Sequence, residues 1–357
     1  MPRKGRRSKT SRRASAAPQI PLQERLLIEA LAECEGNRVL CTSIARGQFA
    51  AAAHERLAEA RVTCHFLDVW QAELTRNEVP GEVSVLCTAD VPTDEVDIAA
   101  FPVKSTGDAE LTRDILQSGH LALRMGGRML AATDNSRDTW LHDELRKLFP
   151  KVTRRPQDRG VLYLATKTEP LRKVKNFEAE FAFRDEGRLI HAFSRPSVFS
   201  HRRLDLGART LINAMEIRPG MRVLDIGCGS GVVGFAAALR SENVSVLAVD
   251  SNARAIDCTI RGAIRNNLTN VETLLNASGE CGEPRTFDLV LGNPPYFSNY
   301  RIAEIFLEAA RRALKPGGEV LMVTKTPNWF LEHMPRYFQH VEERPAKNYS
   351  IVAGRQK

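Results

Sequence analysis

Residues 222–234 read RVLDIGCGSGVVG, and the fold follows from them. Arg222–Asp225 is a short apolar run ending in an acid. Ile226–Gly231 is a glycine-rich turn, and Val232–Leu239 has the small, apolar residues of a buried helix start. A strand that breaks into glycines and then a helix is the opening of a βαβ unit. Downstream, Val244–Val249 reads as a second buried strand ending at Asp250. Thr286–Leu291 is another strand, running into Gly292-Asn293-Pro294-Pro295-Tyr296. From Arg301 to Lys315 the apolar positions fall on one helical stripe. Pro316-Gly317-Gly318 ends that stripe, and Glu319–Val323 is the next strand. Strands alternating with helices imply a mostly parallel α/β sheet covered on both faces.

The first half repeats the plan. Arg38–Leu40, Cys64–Leu67 and Val96–Ala100 repeat the first three strand signals, Glu110–Met125 is a helical stretch, and Gly126–Leu130 echoes Gly317–Leu321. Asp97 and Asp288 lie 191 residues apart, as do Gly127 and Gly318, while Cys41 and Asp225 lie 184 apart. A nearly constant offset across several elements points to a duplication. The copies diverge where chemistry would sit. Asp225 and its glycines are answered by Cys41–Gly47, which keeps one glycine, and Asn293–Tyr296 by Phe101–Lys104. The expected organisation is a basic tail over 1–20, a degenerate module over 21–167, a charged linker over 168–190, and an intact module over 191–357.

Composition narrows the function classes. The 357 residues suit two domains, and 43% hydrophobic with 26% charged is ordinary globular material. No apolar run reaches membrane-spanning length, and the N-terminus lacks the apolar stretch of a secretory signal. Seven cysteines without a C-x-x-C pair indicate reduced side chains, a cytoplasmic setting and no metal site. Net charge is +8, but residues 1–17 carry seven basic residues and no acid, so the remainder is nearly neutral. That tail is too polar to fold alone and suits a flexible arm on RNA phosphates. Deleting it should then flatten the salt dependence of RNA binding; an unchanged slope would leave it a solubilising tail.

Gly229-x-Gly231-x-x-Gly234 with Asp250 beyond it matches the dinucleotide fingerprint, and alone it supports any adenosine-bearing cofactor, NAD included. Two features break the tie. Asp225, just before the glycines, suits a ligand ammonium, which NAD lacks. Asn293-Pro294-Pro295-Tyr296 is a stiff segment without N–H donors at the prolines. Its Asn amide oxygen and the Pro294 carbonyl can both accept from one planar NH2 group, with Tyr296 offering a stacking face.

These residues resemble class I S-adenosylmethionine-dependent methyltransferases acting on exocyclic amines. More narrowly, they resemble the bacterial two-domain rRNA guanine-N2 methyltransferases. The narrower likeness rests on the degenerate first copy, on Pro196–Ser200 ahead of Leu204-Asp205-x-Gly207, on Asn276-Ala277-Ser278, and on Lys347–Val352. It implies two tandem Rossmann-like methyltransferase domains, each with a seven-stranded, mostly parallel sheet, the first degenerate. It places Gly227, Gly229 and Gly231 along the amino-acid end of S-adenosylmethionine and Asp225 near its ammonium. Asp250 would hold the ribose hydroxyls with Ser251 beside it, and Asn276 and Ala277 the adenine. Asn293, Pro294, Pro295 and Tyr296 become the catalytic motif, and ribosomal RNA or a ribosomal subunit the partner. The chain departs at Tyr296 and Phe297, where the family usually has Phe and His. Protein-glutamine and adenine-N6 methylation share the motif, and an RNA-binding protein with both copies decayed is the non-enzymatic alternative.

Overall fold

The computed structural model describes residues 19–295 and 300–357, and within them, one connecting hairpin aside, each α-helix and strand of one half has its counterpart in the other. In the first module α1 (Leu22–Ala30), β1 (Arg38–Thr42), α2 (Gln48–Arg56), β2 (Arg61–Phe66), α3 (Val69–Arg76) and β3 (Ser84–Cys87) lead to β4 (Val96–Val103). There follow α4 (Ala109–Ala122), β5 (Leu123–Thr133), α5 (Trp140–Arg146), β6 (Val152–Pro156) and β7 (Val161–Thr166). After a hairpin of β8 (Ala179–Asp185) and β9 (Arg188–Ser194) the second module begins. It runs α6 (Leu206–Ala214), β10 (Arg222–Ile226), α7 (Val232–Arg240), β11 (Ser245–Asp250), α8 (Ala253–Arg265), β12 (Val271–Leu275) and β13 (Phe287–Gly292). It closes with α9 (Arg301–Ala313), β14 (Leu314–Thr324), α10 (Pro327–His333), β15 (Phe338–Pro345) and β16 (Ser350–Gln356).

Both sheets have seven strands in the same order, β3-β2-β1-β4-β5-β7-β6 and β12-β11-β10-β13-β14-β16-β15. Only the last two strands of each, β6 and β7 or β15 and β16, pair antiparallel. In the second module Val223, Leu289, Leu291, Leu321 and Val323 point to one face, with α6 and α7. Leu224, Ile226, Val290, Val320 and Met322 point to the other, with α9 and α10. Strands covered on both sides need apolar residues at every position, which is why they read as continuous runs. Each such side chain taken fully out of water stabilises the fold by about 1.5–3 kcal/mol.

The duplication reaches individual bonds. Asp97 accepts from the Arg38 N–H at 2.9 Å and pairs with Arg124. Asp288 accepts from the Arg222 N–H at 2.8 Å and pairs with Lys315 at 2.9 Å. The register also refines the sequence pairing by one position. Phe101 lies opposite Ala131 as Gly292 lies opposite Met322, so Pro102, not Phe101, stands at the place of Asn293.

The segment expected as a linker over 168–190 lacks regular structure only as far as Glu178. Beyond it, β8 and β9 form a hairpin whose Phe183, Ile190 and Ala192 enter the second core. Its turn, Glu186-Gly187, has two successive positive φ angles, 44° and 80°, the geometry that matches hairpin twist. Arg240 clamps Asp185 through two bonds of 2.9 Å, and Asn266, the C-cap of α8, exchanges bonds with the His191 backbone. The helix read over Glu110–Met125 ends at Ala122, where β5 takes over.

The modules meet through equivalent residues. The Val69 N–H donates to the Ser251 carbonyl (2.8 Å) and the Ala253 N–H to the Leu67 carbonyl (2.7 Å). Positions 67 and 69 stand to 251 and 253 at the 184-residue offset, so the contact is a pseudo-twofold one between the ends of β2 and β11. Arg254 is buried beside it. Its guanidinium reaches Asp114 (2.6 Å), the Ala89 carbonyl (2.9 Å) and the Pro196 carbonyl (3.0 Å). Arg195, also buried, joins Asp90 of the first module to Asp257 of α8.

Candidate active site

The parallel register lines up the sequence-distant candidates in one row. Ile226 pairs with Val249 on one side and with Gly292 on the other. Gly227 is therefore flanked by Asp250 and Asn293, and Asn276 follows Leu275, the partner of Asp250. The row lies at the carboxyl ends of the strands, where α7 and α9 leave toward opposite faces. A crevice opens at such a switch point, and ligands of α/β sheets bind there.

The loop holding the row is built by glycine. Gly227, Gly229 and Gly231 have φ of 71°, 56° and 77°, in the left-handed region that disfavours side chains. A Cβ on Gly227 would lie 2.7 Å from the Phe306 ring, and one on Gly231 2.5 Å from the Phe235 ring. At Gly229 a Cβ would meet nothing within 4 Å, so the loop is held down at its ends and leaves an open cradle in the middle.

Two carboxylates stand beneath this loop. Asp225 is buried, and its Oδ2 accepts from the Gly234 N–H of α7 at 2.9 Å. Burial pushes its carboxyl up to about 7, against the opposing pull of that N–H. Asp250 accepts from the Gly229 N–H and the Asn252 N–H, both at 2.9 Å. Burial raises it as well, and these N–H groups counter the rise. Neither carboxylate has a cation beside it among the described residues.

Asn293 is paired with Asp205, to which sequence reasoning assigned no role in the site. The Asn293 Nδ2 donates to Asp205 Oδ2 at 3.0 Å, and the same oxygen accepts from the Ala208 N–H at 3.0 Å as the N-cap of α6. A carboxylate can only accept, so the amide nitrogen must face it and Oδ1 must face away. Among the described residues nothing donates to that Oδ1 or to the Pro294 carbonyl. Gly207 makes the approach possible: a Cβ there would lie 2.8 Å from Asp205 Oδ2 and 3.1 Å from Asn293 Oδ1. An Asp two residues before a glycine, opening an apolar helix, is legible as a cap; its second task is not.

The remaining candidates divide. Pro294 is buried and Pro295 half-buried, continuing from Asn293, while Tyr296 lies outside the described residues. Asn276 folds its side chain onto Ser278, with Oδ1 accepting from that N–H at 2.9 Å, and Ala277 is half-buried beside it. Ser251 is not turned to the crevice. Its hydroxyl donates to Asp68 Oδ2 of the first module at 2.7 Å, because the module contact captures the residue after Asp250. Phe199 is 58% exposed on a loop where Ser197, Ser200 and Arg202 all have positive φ.

Among the described residues no group of His, Cys, Asp and Glu is arranged to hold a metal. Nor is any helix long and apolar enough to cross a membrane.

Comparison with known proteins agrees with this architecture. Residues 190–353 match the family model described as methyltransferase small domain. The ribosomal RNA small subunit methyltransferase C of Pseudomonas aeruginosa (strain LESB58) is 33% identical over 156 residues, 43% of this chain and 46% of that protein. The protein of the same description from Hahella chejuensis is 33% identical over 154 residues, 41% of this chain and 44% of its own length. The chain thus spans less than half the length of these curated relatives. A solved Thermus thermophilus structure, titled as the 16S rRNA N2 G1207 methyltransferase in complex with AdoMet and guanosine, superposes with a TM-score of 0.80. It is 19% identical and covers 94% of this chain and 91% of its own, a likeness of fold through both modules. Residues 190–353 thus match the methyltransferase small domain model and follow a first module of the same strand order.

Proposed function

We propose that this chain transfers a methyl group from S-adenosylmethionine to the exocyclic N2 amine of a guanine in ribosomal RNA. The observation that carries the reading is the Asn293 amide, whose nitrogen donates to Asp205 and so leaves its oxygen, with the carbonyl of the next residue Pro294, for one NH2 group. The residues present suit the cofactor. The open cradle at Gly229 suits its backbone-like amino-acid end, Asp225 its ammonium, Asp250 its ribose hydroxyls, and Asn276 with Ala277 its adenine. When bound, the cofactor supplies an activated methyl group, and the protein's part is to place a nitrogen in line with it. Such positioning lowers the barrier by roughly 7–11 kcal/mol.

An exocyclic base amine is a weak nucleophile because its lone pair is delocalised into the ring. Accepting both of its N–H bonds at Asn293 and Pro294 favours a pyramidal nitrogen and frees that lone pair. The same two oxygens stabilise the positive charge that develops on nitrogen, a preorganised electrostatic effect. The methylated nitrogen is then acidic enough to lose its proton to water, so no general base is needed. A paired base cannot reach the crevice, so the target must be unpaired or flipped out. The curated relatives are named as small-subunit rRNA methyltransferases, which favours this substrate over a protein amide or adenine. The partner is ribosomal RNA or an assembled subunit in the cytoplasm, with residues 1–17 on its phosphates.

The test is a comparison of rRNA nucleosides by mass spectrometry from cells with and without the gene. Loss of N2-methylguanosine is expected, and restoration by the wild-type chain. Asn293→Ala should cut transfer by roughly 10²-fold or more, the scale of losing one preorganised acceptor, with cofactor affinity nearly unchanged. Identical nucleoside profiles, or full activity in that variant, would refute the assignment.

A further inference from the structure

The first module keeps a crevice at the place where the second has its candidate site. It encloses about 380 Å³ between the ends of β1, β2 and β4 and the start of α4. That is the lower end of the range for small-molecule pockets, room for one nucleoside.

Its chemistry differs from that of the second module. Glu24 of α1 is buried, and its carboxylate takes the Ser43 hydroxyl and the N–H groups of Ile44 and Phe49, both at 3.1 Å. The amides of the loop after β1 are therefore committed internally, Ile44 to Glu24, Ala45 and Gly47 to the Ser43 hydroxyl and Arg46 to Gln48. Phe66 stands where the second module has Asp250. Asp68 and Asp108 also line the cleft, but Asp68 is engaged by the Gln71 N–H and the Ser251 hydroxyl, and Asp108 by the N–H groups of Glu110 and Leu111. An amino-acid-bearing nucleoside has lost both its handles here.

What remains suits a flat, uncharged ring. Phe66, Phe101, Leu111 and Ile115 give apolar walls. His65, another wall residue, is buried with Nε2 on the Thr88 carbonyl at 2.9 Å, and its Nδ1 has no partner among the described residues. Burial holds this imidazole below its ordinary range, so it is neutral, and with Nε2–H donating, Nδ1 is an acceptor. Lys104, exposed, stands at the rim. Apolar and aromatic walls with a rim cation are the means by which proteins take up unpaired bases.

We propose that this cleft holds one unpaired base of the RNA that the second module modifies, its ring between the apolar walls and Lys104 beside its phosphate. The proposal rests on the RNA-modifying function above and gives the first module a substrate contact of its own. The test measures binding of a fluorescently labelled single-stranded RNA to the full chain. Leu111→Trp fills the cleft from α4 and should weaken RNA binding about tenfold, the scale of one lost stacked base, while cofactor affinity holds. Leu111→Ala, which leaves the cleft open, should bind RNA nearly as the wild type does. Lys104→Glu, on the surface, should lower RNA affinity and reduce the salt slope by about 0.7.

Free adenosine, guanosine, cytidine and uridine separate the two sources of a base. Competition with RNA at high concentration supports an RNA base. A free nucleoside that binds tightly without displacing RNA overturns it in favour of a metabolite. RNA binding unchanged in a folded Leu111→Trp variant overturns it outright. Should the wild type transfer no methyl to rRNA while Leu111→Trp still weakens RNA binding, the catalytic assignment falls and the cleft stands.

Discussion

Asn293 can accept from a substrate amine only if its amide cannot turn over, and Asp205 is what prevents the turn. Asp205→Asn isolates this role. The new amide still caps α6 through its oxygen, so the melting temperature should hold, since Asn and Asp cap about equally. It no longer forces the Asn293 nitrogen toward it, however, and Oδ1 faces the crevice only part of the time. We expect kcat to fall about tenfold with KM and cofactor affinity preserved, as for an interaction needed only in the transition state. A fall in KM-linked binding instead would make Asp205 a substrate contact. Asp225 gives a prediction in pH. Its carboxyl binds a proton more tightly in the folded chain, about 7 against an ordinary 3.8, so it takes away stability as pH rises through that window. Asp225→Asn keeps an acceptor for the Gly234 N–H and carries no charge. The unliganded variant should match the wild type near pH 4 and melt higher at pH 8, while binding the cofactor more weakly. Parallel melting profiles from pH 4 to 8 would show that the buried charge costs nothing.

At the scale of elements, legibility followed burial pattern. The runs Val223–Leu224, Val246–Val249 and Leu289–Leu291 are continuously apolar because both faces of the sheet are covered, and each leads directly to the candidate residues Asp225, Asp250 and Asn293. Fold and row of candidates were therefore readable together. The hairpin was not, although its signal was present. Phe181 and Phe183, then Ile190 and Ala192, alternate with charged or exposed residues, and Glu186-Gly187 marks the turn. Dense charge hid the period of two, because Asp185 and Glu180, on opposite faces of β8, carry ion pairs to Arg240 of α7 and Arg265 of α8. The partner of the Ser251 hydroxyl was hidden for a different reason. The place of Ser251 after a strand-end acid is right for a ligand, but the contact that takes its hydroxyl comes from Asp68, 183 residues away. No local pattern records such a partner, nor does one separate Glu24, buried on the loop amides, from any polar residue of an amphipathic helix.

For the whole molecule, the two copies are joined where β2 and β11 end, one residue from Asp250. The first module therefore holds the segment that the proposed ribose contact depends on, and Arg254 is the centre of that hold. Removing its charge with Arg254→Met leaves the Asp114 carboxylate and the Ala89 and Pro196 carbonyls without their donor. Breaking a buried pair from one side costs about 3–5 kcal/mol, mostly as the penalty of the stranded charge. Trp70 and Trp140 report on the first module and Trp329 on the second. The wild type should unfold with fluorescence and circular dichroism coincident, and Arg254→Met should separate the two transitions and weaken cofactor binding. Adding Asp114→Leu removes the stranded carboxylate and should restore part of the stability, a coupling that two independent sites would not show. It should not restore cofactor affinity, because the link from α8 to the first module stays broken. A double variant recovering both would mean that Arg254 serves stability alone and that Asp250 is placed by its own module.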